Sequence, residues 1–140
     1  MSTFVVDASA ALSWILQSQS TPAADEFLGR RRLTDRYVAP YIFSWEVGNV
    51  LFALGRRRSL TDPAASGAYS ELGALGIEPV RAPAEAEILQ LGGLAREVGL
   101  SLFDAAYLAL ATEGGWALVS RDRNLLEVAL ARNVKCVDLR

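Results

Sequence analysis

Four carboxylates carry the chemical interest of this chain: Asp7, Glu46, Asp104 and Asp122. The 140 residues include no histidine. That removes His-based triads, imidazole acid–base pairs and the usual zinc sites. Hydrolytic chemistry must then rest on carboxylates, which select hard, oxygen-seeking cations such as Mg²⁺ or Mn²⁺. Four carboxylates gathered in a low-dielectric cleft repel one another, and folding alone does not favour that. A divalent cation turns the repulsion into ligation. It also lowers the pKa of a bound water and neutralises charge on a phosphate oxygen. If the four converge, they point to metal-dependent hydrolysis of phosphodiesters.

Each acid also has a plainer reading. Asp7 follows the apolar run Phe4-Val5-Val6, which predicts a strand buried on both sides in a parallel sheet. A buried strand end is a costly place for a charge, so its plainer reading is the weakest. Asp122 follows the predicted strand Trp116–Val119 by way of Ser120-Arg121, and so emerges at the same carboxyl edge. It also suits the N-cap of the next helix. Asp104 falls in the first turn of the apolar stretch Phe103–Ala111, where a carboxylate complements the helix dipole. Glu46 precedes Val47 and shares a helix face with Asn49.

The elements that must position these groups follow from periodicity and punctuation. Ala10, Ala11, Trp14 and Ile15 form one stripe of a helix running to Leu16, with Ser9 as its cap or as a neighbour of the acids; the cap is favoured. Thr21 and Pro22 start a second helix. Tyr37–Ala39 reads as a strand, and Tyr41–Arg58 as a long helix with Phe43, Val47, Val50, Leu51 and Leu54 inward. Gly48 allows close packing there, at about 1 kcal/mol in propensity. A helix from Thr61 to Leu75 leads to a strand at Ile77–Val80. Ala84–Val98 (inner stripe Ile88, Leu91, Leu94, Ala95) and Leu102–Thr112 are helices ended by glycines. Trp116–Val119, Arg123–Ala131 and Val134–Val137 complete the order as strand, helix, strand. Alternating strands and helices with short connections predict one α/β domain over residues 1–140, with helices on both faces of a parallel sheet.

Bulk properties narrow the class. Hydrophobic residues make up 51% and charged residues 21%, which supports a packed core and argues against disorder. No apolar run approaches a membrane span, and the first strand follows Met1-Ser2 directly, so a cytosolic protein without a signal peptide is expected. Cys136 is the sole cysteine and reads as a core thiol. The net charge of −2 gives no global field for nucleic acid. Two local echoes, GRRRLTD from Gly29 and GRRRSLTD from Gly55, place arginines at helix ends. Solvated helix ends are the leading reading; a basic rim for RNA phosphates is the other. Trp14, Trp45 and Phe43 read first as core.

Val5-Val6-Asp7-Ala8-Ser9, Trp45-Glu46-Val47-Gly48-Asn49, Leu102–Ala109 and Leu118-Val119-Ser120-Arg121-Asp122, taken together and in order, resemble the PIN-domain ribonucleases, and among them the VapC-type toxins. The resemblance spans the whole chain. It implies a three-layer α/β/α fold, with a five-stranded parallel sheet and the first strand central. It implies an Mg²⁺- or Mn²⁺-dependent endoribonuclease leaving 5′-phosphate and 3′-hydroxyl ends. Asp7, Glu46, Asp104 and Asp122 fall on the family's acidic, metal-binding positions, and Ser120 and Asn49 on its accompanying polar ones. Arg123, Asn124 and Leu125 stand where a further acid is often found, so one well-held ion is expected. The partners implied are RNA, a second copy of the chain, and a small antitoxin whose helical tail occupies an apolar groove, for which Trp14, Trp45 and Phe43 are candidates. The rival reading is a dormant PIN-fold module that serves as a protein or RNA scaffold. A second rival, an aspartyl-phosphate enzyme built on Asp7, lacks a well-placed lysine, because Lys135 is the only one.

Overall fold

A computed structural model describes residues 1–140. Its strands are β1 (Thr3–Val6), β2 (Arg36–Ala39), β3 (Ile77–Pro79), β4 (Ala117–Ser120) and β5 (Cys136–Asp138). Its helices are α1 (Ala8–Ile15), α2 (Pro22–Gly29), α3 (Phe43–Arg56), α4 (Asp62–Ala74), α5 (Glu85–Val98), α6 (Leu102–Gly114) and α7 (Arg123–Ala131). The five strands form one sheet in the order β3-β2-β1-β4-β5, with every neighbouring pair parallel. β1 is central, as its unbroken apolar run requires: Val5 and Val6 are fully buried.

The order explains the layers. From β1 the chain steps outward to β2 and β3, then crosses back to β4 and β5. Right-handed crossovers place α1–α4 on one face and α5–α7 on the other. The packing agrees: α2, α3 and α4 gather on α1, while α5 and α7 flank α6. The direction of winding reverses between β1 and β4, which opens a crevice at their carboxyl ends. Asp7 and the β4–α7 turn both emerge there.

Several boundaries differ from expectation for local reasons. α3 begins at Phe43, because Pro40–Ile42 form a turn first. β4 and β5 each sit later than expected, pulled by the ladder of Leu118 with Cys136 and Ser120 with Asp138. The loop before α2 contains a short 3₁₀ turn, Gln17–Gln19. On α5 only Ala95 is buried; Ile88 is exposed and lines a surface groove, so the inner stripe is narrower than the periodicity suggests. Gly48 does permit a close approach: a Cβ there would lie 3.2 Å from the Tyr69 hydroxyl of α4. Cys136 is half-buried, and burial pushes its thiol up. No helix is long and apolar enough to cross a membrane.

Trp14 stacks on Tyr37 and Phe27, and its indole N–H donates to the Ala24 carbonyl at 2.9 Å. Phe43 is buried. Both therefore pack in the interior, as first read. Trp45 does not: it is 70% exposed, because its position on α3 faces away from α1 and the sheet.

Candidate active site

The crevice is built from helix caps. Asp7 is the N-cap of α1, and its Oδ1 accepts from the Ala10 amide at 2.8 Å. Ser9, expected to cap this helix, instead donates its hydroxyl to Asp7 Oδ1 at 2.7 Å and accepts the Arg121 amide at 2.9 Å. The physical reason is register. The residue that ends β1 supplies the acceptor for the orphan amides of the first turn, leaving Ser9 free to reach β4.

Ser120, at the end of β4, is fully buried. It donates to Asp7 Oδ2 at 2.5 Å and accepts the Asp122 amide at 2.8 Å. Asp122 caps α7 through the Leu125 amide at 3.0 Å. Two serine hydroxyls thus tie the β1–α1 and β4–α7 turns together, each donating to Asp7 and accepting a backbone N–H. A carboxylate offers about four lone-pair positions; three are filled on Asp7, leaving one on Oδ2.

The opposite wall comes from α3 and α6. Tyr107 is buried and donates its hydroxyl to Glu46 Oε1 at 2.7 Å. Asp104 lies in the first turn of α6, whose N-cap Ser101 accepts the Asp104 amide at 3.1 Å.

The electrostatics show that the acids share a cleft. Burial pushes Asp7 up to about 6, against the pull of Ser120, Ser9 and the Ala10 amide, and Asp122 pushes it the same way. Glu46 is raised by burial, then by Asp104 and Asp7, while its bond to Tyr107 opposes the shift. Asp104 is raised by burial and by Asp122. Burial and the negative charge of Glu46 drive the Tyr107 phenol far upward, which keeps it a donor. The four carboxylates feel one another, yet no three close on a common point as a ready ligand shell. The crowding is looser than the sequence suggests. Asp7, Asp122 and Glu46 each have a strong local donor, and each leans toward it.

Asn49 is exposed and forms no hydrogen bond with the acids; it lies along α3 beside Trp45 and Phe52. Tyr107 was not among the candidates. Its place on the buried side of a nearly all-apolar helix reads as core, and only the pairing of α6 with Glu46 reveals it.

The PIN domain family matches residues 4–131. The chain belongs to the PIN-domain family. Ribonuclease VapC3 of Pyrobaculum aerophilum is 32% identical over 125 residues, covering 88% of this chain and 92% of that protein. The crystal structure of PAE2754, also from Pyrobaculum aerophilum, superposes with a TM-score of 0.67 at 25% identity, covering 91% of this chain and 84% of that one. The crystal structure of FitAcB from Neisseria gonorrhoeae matches with a TM-score of 0.66 at 17% identity over 96% of both chains, a likeness of fold. In this PIN domain the acids occupy the crevice where the sheet reverses its winding.

Proposed function

We propose that this PIN domain is a divalent-metal-dependent endoribonuclease of the VapC type. The observation that carries the reading is Asp7: a buried carboxylate with one lone-pair position free, raised to about 6 by burial, close to Glu46 and Asp122, which in turn lie close to Asp104. The relationship to Ribonuclease VapC3 supports RNA as the substrate. The donor set is all carboxylate oxygen, which suits Mg²⁺ or Mn²⁺. Asp7, Asp104, Asp122 and Glu46 would hold one such ion, partly through water. When bound, the ion supplies Lewis acidity to water and to the scissile phosphate.

The chain's own residues then divide the work. Ser9 and Ser120 fix both oxygens of Asp7. Tyr107 fixes Glu46. Glu46, biased toward protonation by burial and its acidic neighbours, takes the proton of the attacking water. The water oxygen bonds to phosphorus, the bond from phosphorus to the 3′-oxygen breaks, and that oxygen takes a proton from solvent as it leaves. The products carry 5′-phosphate and 3′-hydroxyl ends.

The same relationship is in keeping with a small antitoxin partner, and we propose that the chain also pairs with a second copy of itself. An apolar groove of about 480 Å³ lies among the β2–α3 turn, α5 and α6, lined by Tyr41, Ile42, Ile88, Leu91, Leu102 and Phe103 among others. Cleavage of single-stranded RNA in Mg²⁺ tests the nuclease reading. Cutting is expected to stop in EDTA and return with Mn²⁺; undiminished cutting in chelator rules the reading out.

A further inference from the structure

The two arginine triplets look alike in sequence and differ in the fold. Arg30 pairs with Glu26 at 2.6 Å. Arg31 lies over the Tyr37 ring at 3.7 Å and donates to the Leu75 carbonyl. Within that triplet only Arg31 ties the end of α2 to its neighbours; Arg30 pairs inside α2 and Arg32 is exposed. Arg56, Arg57 and Arg58 are all exposed, and none of them makes an ion pair.

This second triplet ends a stripe. Trp45, Asn49, Phe52 and Arg56 recur at helical spacing and share one side of α3. Trp45 is 70% and Phe52 66% exposed, and with Ser44, Gly48 and Asn49 they line a hollow of about 360 Å³. The Arg56 guanidinium stands 5.7 Å from the Phe52 ring centroid. The stripe starts beside Glu46 and runs roughly 16 Å along the helix to the arginines. Two large aromatic faces in water do nothing for the core. An acidic cleft in a chain of net charge −2 needs local positive charge to receive a polyanion.

We propose that this stripe is a track for single-stranded RNA leading into the acidic cleft. Bases stack on Trp45 and Phe52, Asn49 bonds a base edge or 2′-hydroxyl, and Arg56, Arg57 and Arg58 hold phosphates. The proposal rests on the nuclease reading and adds where the substrate lies. An apolar protein helix is the poorer occupant, because it would leave three arginines without counter-charge.

The test is anisotropy of a short fluorescein-labelled single-stranded RNA of mixed sequence, bound to Asp7→Asn protein in Mg²⁺. Adding Trp45→Ala with Phe52→Ala is expected to weaken binding roughly 10- to 100-fold, with melting unchanged. Changing Arg56, Arg57 and Arg58 to Gln lowers the slope of log affinity on log salt by about 2. Arg30→Gln with Arg32→Gln leaves that slope in place. Unchanged RNA affinity in the folded aromatic variant overturns the proposal; that result is also what a protein-docking face predicts. The two readings separate. Wild-type cutting with unchanged affinity in the stripe variants sinks only the track. Stripe-dependent binding by a wild-type protein that cuts nothing sinks only the nuclease.

Discussion

On the β1–β4 side of the cleft, Asp7 is held by two serine hydroxyls and a helix amide, and Asp122 is fixed as a cap. On the α3–α6 side, Glu46 is held by one phenol, and Asp104 by its place in a helix turn. The first side sits where the sheet reverses and is set by backbone register, so its geometry comes with the fold. The second depends on how two helices from opposite layers meet, so one bond carries it. The first side therefore holds charge in a fixed place, and the second leaves a single carboxylate on one bond, the one to which the proposed mechanism gives the proton.

The largest effect expected from breaking this contrast is Asp7→Asn. RNA cleavage should fall below detection. The metal-free protein should be more stable than wild type by about 1–3 kcal/mol at pH 7, because a carboxyl raised from 3.8 to about 6 opposes folding when ionised. Chemical denaturation of both proteins in EDTA checks this. A marked loss of stability would mean that Asp7 is chiefly structural.

Next is Ser120→Ala. It leaves the buried Asp7 Oδ2 and the Asp122 amide without their partner, at a cost of about 1–3 kcal/mol. Losing a donor to the ionised form also moves Asp7 above about 6, so the acidic limb of the activity profile should shift to higher pH. Tyr107→Phe sharpens the comparison from the other side. It removes one bond to Glu46, and activity should drop roughly 10- to 100-fold. KM for RNA should change little. A change confined to KM would place Glu46 in substrate binding.

The smallest effect is on pH and stability without metal. Asp7 titrates higher in the fold than in the unfolded chain. Its contribution is complete below about 3.8 and is lost as pH rises through about 6. Between pH 7 and pH 5, wild type should gain stability relative to Asp7→Asn, measured by melting in EDTA. A constant difference would contradict the burial of this carboxyl.

Much of the fold was legible because β1 is apolar without alternation, and because helix caps such as Thr21, Thr61 and Ser101 are short-range signals. Asp7 and Asp122 were legible as strand-end residues for the same reason. The contact of Ser9 with the acids was legible only as the less favoured of two readings, and the role of Tyr107 not at all, since both depend on contacts across the sheet or between layers. Trp45 was read as core for its large apolar side chain, but it lies off the buried Phe43, Val47 and Leu51 stripe, and α3 turns it to solvent. The two arginine echoes differ in a local partner, Glu26 four residues before Arg30, and in tertiary ones such as the Tyr37 ring beneath Arg31, which sequence spacing does not carry.

Mn²⁺ titration followed by the electron-spin signal of the free ion, at pH 7.5 with wild type and Asp7→Asn side by side, tests the central claim most directly. Saturable binding in wild type that is lost in the variant is the predicted result. No saturable binding in wild type, or equal binding in both proteins, would contradict it.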